Sequence, residues 1–187
     1  MKLFIALCCC ALMCPLSALA ADNFNYNYAE LGYQRQVTPG GPTFKGPALD
    51  FSWTAYNELQ VIGSYDRFTV SSPDISDSNY SIGIRGDSSF SEQTDFTTDI
   101  LYVDNRATMS GSSSTDNGYR LAFGFRHLFN QWLELDGSIG HDWLTRSSND
   151  VGLGLLFNAT TRLAAGLSYS HNSVTGNTAS ANVRFYF

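Results

Sequence analysis

The chain has 187 residues, of which 43% are hydrophobic, 14% aromatic and only 15% charged, with a net charge of −6 and a mean hydropathy of −0.14. That charged fraction is well below the roughly 25% of ordinary soluble domains, yet the absence of net hydrophobicity excludes a bundle of apolar membrane helices, and the aromatic content excludes a disordered chain. Ser, Thr, Asn and Gly fill the gap, so apolar residues are dispersed one by one, as strands disperse them, and the length suits one domain.

Residues 1–20 read as a secretory leader: Lys2 forms a positive n-region, Leu3 to Leu16 an apolar stretch, and Ala18-Leu19-Ala20 a small-x-small cleavage site. Cleavage would leave residues 21–187 as the working domain. All four cysteines, Cys8, Cys9, Cys10 and Cys14, fall in the leader, so the processed chain holds neither a disulfide framework nor a thiolate metal site. Lipid modification is the rival reading, but it wants a small residue before the cysteine, and Cys14 follows Met13. Loss of Lys2 leaves ten basic residues against seventeen acidic ones, a net −7 that disfavours a nucleic-acid partner. Lys45 is then the single lysine, and the hydrated, lysine-rich surface of a soluble sheet protein is missing.

Beyond the leader, period-two alternation recurs. Leu49, Phe51, Trp53 and Ala55 alternate with Ala48, Asp50, Ser52 and Thr54; Tyr119, Leu121, Phe123 and Phe125 with Arg120, Ala122, Gly124 and Arg126. Leu133, Leu135, Gly137 and Ile139 alternate with Glu134, Asp136, Ser138 and Gly140, and Val183, Phe185 and Phe187 with Asn182, Arg184 and Tyr186. The pattern predicts ten strands over 24–36, 47–55, 59–69, 79–87, 94–106, 118–127, 132–143, 151–157, 162–171 and 178–187, with an eight-stranded arrangement as the alternative. Short connectors such as 56–58, 128–131 and 158–161 alternate with longer ones at 37–46, 70–78, 107–117, 144–150 and 172–177. Tight turns on one end and longer loops on the other describe an antiparallel up-and-down transmembrane β-barrel.

Alternation also fits a soluble, lipocalin-like binding barrel with its apolar face inward. The polar face separates the two, because it is rich in Gly, Ser, Ala and Thr and carries charges of both signs, as a crowded barrel interior does. The expected inward set is Glu30, Asp50, Asp66, Arg85, Asp99, Arg120, Arg126, Glu134, Asp136, Asp142 and Arg184, a lumen polar network whose members can neutralise one another. Strands of about ten residues tilted near 40° cover roughly 25 Å, the height of an outer-membrane apolar band. Aromatic girdles are expected from Tyr28, Tyr56, Phe129, Trp132, Phe157 and Tyr186 at the periplasmic rim, and from Tyr33, Tyr80, Tyr119 and Trp143 at the other.

The terminal Val183-Arg184-Phe185-Tyr186-Phe187 resembles the last strand of bacterial outer-membrane β-barrel proteins, the porin-like superfamily. That resemblance implies that Phe187 is read by the barrel-assembly machinery, after Sec-type export. Asn25-Tyr26-Asn27-Tyr28-Ala29-Glu30-Leu31-Gly32-Tyr33 is similar to a group of small gammaproteobacterial outer-membrane barrels once proposed as a quorum-sensing or immune-eliciting factor, a likeness that implies no chemistry.

Candidate chemistry is sparse. His171-Asn172-Ser173 resembles the His-x-Ser arrangement of outer-membrane lipid A deacylases, in which histidine activates serine, so His171 and Ser173 define an alternative lipid A hydrolase site. No acid follows Asp150 to complete it. His141-Asp142 resembles the Asp/His pair of barrel proteases, but adjacent strand residues point to opposite faces. His127 reads as a rim residue. Asp74, Asp77, Asp104 and Asp116, in or beside the loops, are candidates for divalent cations or for bridging to lipopolysaccharide phosphates. The expectation is a monomeric, non-enzymatic outer-membrane barrel without cofactor or metal, its partners being outer-membrane lipid and lipopolysaccharide. It would act as a surface scaffold with interacting loops or as a narrow, mildly cation-selective pore.

Overall fold

The computed structural model describes residues 24–70, 75–109 and 112–187. The expected leader with its cysteines, the lipid-modification alternative and the loop acid Asp74 lie outside them. All regular structure among the described residues is strand: β1 (Tyr28–Val37), β2 (Thr43–Tyr56), β3 (Leu59–Thr69), β4 (Ile75–Ser91), β5 (Thr94–Met109), β6 (Ser112–Asn130), β7 (Leu133–Trp143), β8 (Ser148–Asn158), β9 (Leu163–Asn172) and β10 (Gly176–Tyr186). Each pairs antiparallel with its chain neighbours, and β1 pairs with β10 from Tyr28↔Tyr186 to Val37↔Asn177, closing a ten-stranded barrel with no free edge. Ten strands replace the eight-stranded alternative.

Both ends of the described chain lie at one rim, here the terminal rim; the opposite end is the loop rim. Three hairpins at the terminal rim share one construction, a two-residue turn following a bulge, with closing pairs Tyr56↔Leu59, Ser91↔Thr94 and Asn130↔Leu133. Local polar side chains hold the turns: Asn130 Oδ1 accepts from the Trp132 and Leu133 backbone N–H groups at 2.8 and 3.0 Å, and Ser91 Oγ accepts from Gln93 N at 3.3 Å. Asn57 takes the positive φ of 46° that its turn requires, a conformation asparagine tolerates.

The loop rim departs from expectation. The polar stretches at 75–78, 107–109 and 112–117 are not loops: β4, β5 and β6 run through them in register, from Ile75↔Met109 and Met109↔Ser112 downward. Residues with weak strand propensity stay extended there because each backbone N–H and C=O is satisfied only by its neighbour strand. At the other end β1 begins at Tyr28, four residues later than expected.

The outward face is apolar over most of its height, with Leu31, Leu49, Trp53, Ile82, Ile100, Ile139, Leu153, Leu167 and Val183 each at least 43% exposed. Glycines on this face are roofed by aromatic rings: a Cβ at Gly63 would collide with the Phe51 ring, and one at Gly137 with the Phe125 ring. The inward face holds the buried Glu30, Gln36, Gln60, Asp95, Arg126, Glu134 and Asp142 together with the small cluster of Tyr28, Leu156, Ala164 and Tyr186. Polar inside and apolar outside is the reverse of a soluble barrel, so the lipocalin-like alternative fails on side-chain direction. The girdle needs one correction. Tyr56, Phe129, Trp132, Phe157, Tyr33, Tyr80, Tyr119 and Trp143 are exposed on the outside, whereas Tyr28 and Tyr186 are buried in the lumen. They share the period-two phase of Glu30 and Arg184, which nearness to a strand end had obscured.

Candidate functional site: the charged lumen

Register brings the inward charges together, because strands that pair antiparallel place opposite residues about 5 Å apart. Arg85 faces Asp99 across β4 and β5 and grips it with two hydrogen bonds, Nε to Oδ1 and Nη2 to Oδ2, both 2.7 Å. Arg120 faces Asp142 on β7 and also reaches Asp150 on β8, at 3.1 and 2.6 Å. Ser148 Oγ donates to Asp142 Oδ2 at 2.8 Å and receives Asn172 Nδ2 at 3.1 Å, continuing the network to β9. These two arginine centres form a charged waist.

Towards the terminal rim the packing tightens. Arg126 donates to both oxygens of Glu134, at 2.5 and 3.1 Å, and Arg184 donates from Nε to Glu30 Oε2 at 2.6 Å while Asn182 Nδ2 holds the other oxygen of Glu30. Aromatic rings cover both guanidinium groups. The Arg184 carbon lies 4.1 Å from the Tyr28 ring centroid and 6.0 Å from that of Tyr186. Arg126 lies 4.8 Å from the Phe24 ring and 4.7 Å from the Tyr26 ring. Residues 24–27, expected as the start of a strand, instead fold across this mouth. Phe24 and Tyr26 are buried, Tyr26 Oη donates to Asp95 Oδ2 at 3.0 Å, and Asn27 pins the segment by accepting Thr54 N at 2.7 Å and Phe187 N at 3.1 Å.

Towards the loop rim the acids outrun the arginines. Asp66 accepts Gln34 Nε2 at 3.1 Å, and neither Asp66, Asp50 nor Asp77 forms an ion pair with any described residue. Asp50 and Asp66 line a cavity of about 480 Å³ whose floor is Tyr28, Arg85, Asp99 and Arg120. Those four floor residues also line a central void of about 180 Å³, with Gly124, Arg126, Asp136, Ser138 and Arg184. Arg126 in turn lines a third cavity of about 620 Å³ at the terminal rim, beside Phe24, Glu134 and Tyr186. Three voids therefore follow one another down the barrel, separated by side chains rather than by backbone.

Of the expected lumen set, Arg85–Asp99, Arg120–Asp142, Arg126–Glu134 and Arg184–Glu30 are ion-paired, while Asp50, Asp66 and Asp136 are not. Sequence reasoning missed Asp150, which lay in a presumed connector, and Asp95 and Asp87, which fall at the ends of the expected strands 94–106 and 79–87; Asp87 accepts Gln60 Nε2 on the inner face. Three of the four loop acids fall among the described residues, and these lie in strands rather than in loops. Asp77 and Asp116 belong to inward positions of β4 and β6, Asp116 accepting Thr145 N at 3.0 Å, and Asp104 is held by Arg106 at 2.8 Å. Among the described residues no cluster of His, Asp and Glu fits a metal ion.

The histidines all face outward and are engaged with neutral neighbours: His127 Nδ1 with Thr94 Oγ1 at 2.9 Å, His141 Nδ1 with Asn149 Oδ1 at 2.7 Å, and His171 Nδ1 with Asn177 Oδ1 at 2.7 Å. Ser173 Oγ accepts the Asn149 backbone N–H at 3.0 Å. His171 and Ser173 thus have separate partners, and the structure does not join them into a nucleophile–base pair.

The sequence matches no family model and no curated protein. Among solved structures, an outer membrane channel from Pseudomonas putida F1 is similar with a TM-score of 0.55 at 9% identity, over 93% of this chain and 98% of that one. The beta domain of the Bordetella autotransporter Brka gives 0.51 at 12% identity, over 86% of this chain and 98% of that one. The KdgM porin in complex with disordered oligogalacturonate gives 0.49 at 9% identity, over 84% and 99%. The fold is that of an outer-membrane β-barrel. These likenesses lend no support to the narrower one carried by residues 25–33.

Proposed function

We propose that this chain is a non-enzymatic, monomeric barrel of the bacterial outer membrane whose lumen is a narrow, porin-like passage for small polar solutes. The terminal rim then faces the periplasm and the loop rim the exterior, as short turns and chain ends do in such barrels. One observation carries the reading: the loop-side cavity, the central void and the terminal-side cavity share their boundary residues in sequence, Arg85, Asp99 and Arg120 at one step and Arg126 at the next. Side chains on staggered rotamers move far more readily than a barrel wall. Acids outnumber arginines along the path, which favours cations.

Export through a leader at residues 1–20, recognition of Phe187 by the assembly machinery and contact with lipopolysaccharide complete the reading. It is tested by blocking the passage in a folded protein. Ser138→Cys places a thiol on the central void; in a planar bilayer its conductance steps should disappear when a bulky methanethiosulfonate reagent is added, while wild-type steps persist. Steps that survive confirmed labelling would overturn the pore. A silent wild-type barrel with heat-modifiable migration would leave the scaffold reading, with function residing in the loops.

A further inference from the structure

Most acids among the described residues are turned into the lumen, whereas outward-facing cations collect at one sector of the loop rim. Arg35 on β1, Lys45 on β2, Arg67 on β3 and Arg106 on β5 are all exposed and outward. Arg35 and Lys45 are direct cross-strand partners, so two like charges stand about 5 Å apart at their backbones, a destabilising arrangement in isolation. Arg67 and Arg106 both pair with Ser78 of the intervening β4, which sets two more cations in one row around a hydroxyl. Among the described residues Asp104, bonded to Arg106, is the one carboxylate paired with them; Arg35, Lys45 and Arg67 form no ion pair with any described residue.

Height identifies the missing partner. Arg35 and Arg67 each stand two residues beyond an outward tyrosine, Tyr33 and Tyr65, and Arg106 lies 5.5 Å from the ring of outward Tyr80. Two residues along a tilted strand lift a side chain roughly 5 Å, from the aromatic girdle into the headgroup layer. On the opposite sector the same step leads from Tyr169 to His171, and the outward strand positions there hold His–Asn pairs, while Arg146 of the β7–β8 loop lines the cavity at the lumen mouth. We propose that the loop-rim face of β1–β5 binds the phosphate groups of an outer-leaflet glycolipid of the lipid A type, one phosphate bridging Arg35 and Lys45 and a second lying between Arg67 and Arg106. A phosphate accepts charge-assisted hydrogen bonds from both members of each pair and converts their repulsion into attachment. The proposal rests on the outer-membrane reading and deepens it.

Native mass spectrometry of the detergent-solubilised full-length protein, with bisphosphorylated lipid A as probe and its phosphate-free analogue as control, tests the site. Wild type should retain bisphosphorylated lipid A at least tenfold better than the analogue. The quadruple variant Arg35→Gln, Lys45→Gln, Arg67→Gln, Arg106→Gln should lose that preference, and His141→Gln with His171→Gln should keep it. Each protein is first inserted into phosphatidylcholine vesicles and checked for heat-modifiable migration. Equal retention of both lipids by an inserted wild type, or undiminished preference in an inserted quadruple variant, overturns the lipid site alone. Failure of wild type to insert overturns the membrane reading and the lipid site with it. Retention of inorganic phosphate as tight as that of lipid A overturns the assignment to a lipid.

Discussion

The two halves of the lumen use the same residue types to opposite ends. In the terminal half each arginine is matched to a carboxylate and roofed by aromatic rings, so Arg126, Glu134, Glu30 and Arg184 behave as packing material. In the loop half Asp50, Asp66 and Asp77 form no ion pair with a described residue, and the first two border open volume. Pairing and ring cover turn a charge into structure, whereas an unpaired charge on a cavity acts outward as a field on whatever enters.

The largest effect should come from unpairing the closed half. Glu134→Ala leaves Arg126 buried without its bidentate partner and should cost about 3–5 kcal/mol, read as a lower urea midpoint for the barrel in lipid. A loss no greater than that of Asp50→Ala would erase the distinction between the halves. Next in size, Phe24→Ala with Tyr26→Ala should raise single-channel conductance severalfold, because the segment across the terminal-rim mouth would lose both ring contacts to Arg126, each worth about 0.5–2 kcal/mol.

Smaller changes belong to the open half. Asp50→Asn with Asp66→Asn should lower cation preference, measured as a reversal potential in a KCl gradient, with unfolding shifted by no more than about 1 kcal/mol. An unchanged reversal potential would mean that these acids do not face the conducting path. Least of all, Ser173→Ala should leave the lipid A mass spectrum of expressing cells identical to wild type, since Ser173 and His171 are committed to different neighbours.

The alternation of greasy and small residues made ten strands and the direction of the expected inward charges readable, because strand phase is a strictly local property. Ion-pair partners were less accessible. Arg85–Asp99 and Arg120–Asp142 follow once a hairpin's turn sets its register, but Arg126 bonds Glu134 rather than Asp136, its cross-strand neighbour, and that diagonal choice depends on three-dimensional packing. The fold of Phe24 and Tyr26 across the mouth had no local signal either: Asn25-Tyr26-Asn27-Tyr28 alternates like the strand it precedes, and only contacts with Arg126, Asp95 and Thr54, all distant in sequence, turn it aside. Likewise Ser112–Thr115 has loop composition, and pairing with β5 holds it extended.

Side chains, rather than the barrel wall, divide the voids along this lumen. Single-channel recording of wild type and of the Phe24→Ala, Tyr26→Ala double variant, both shown to be folded, tests this most directly. Wild type should give small steps and the variant larger, cation-selective steps. Silence from both would contradict this and make the lumen a solid strut beneath the loops.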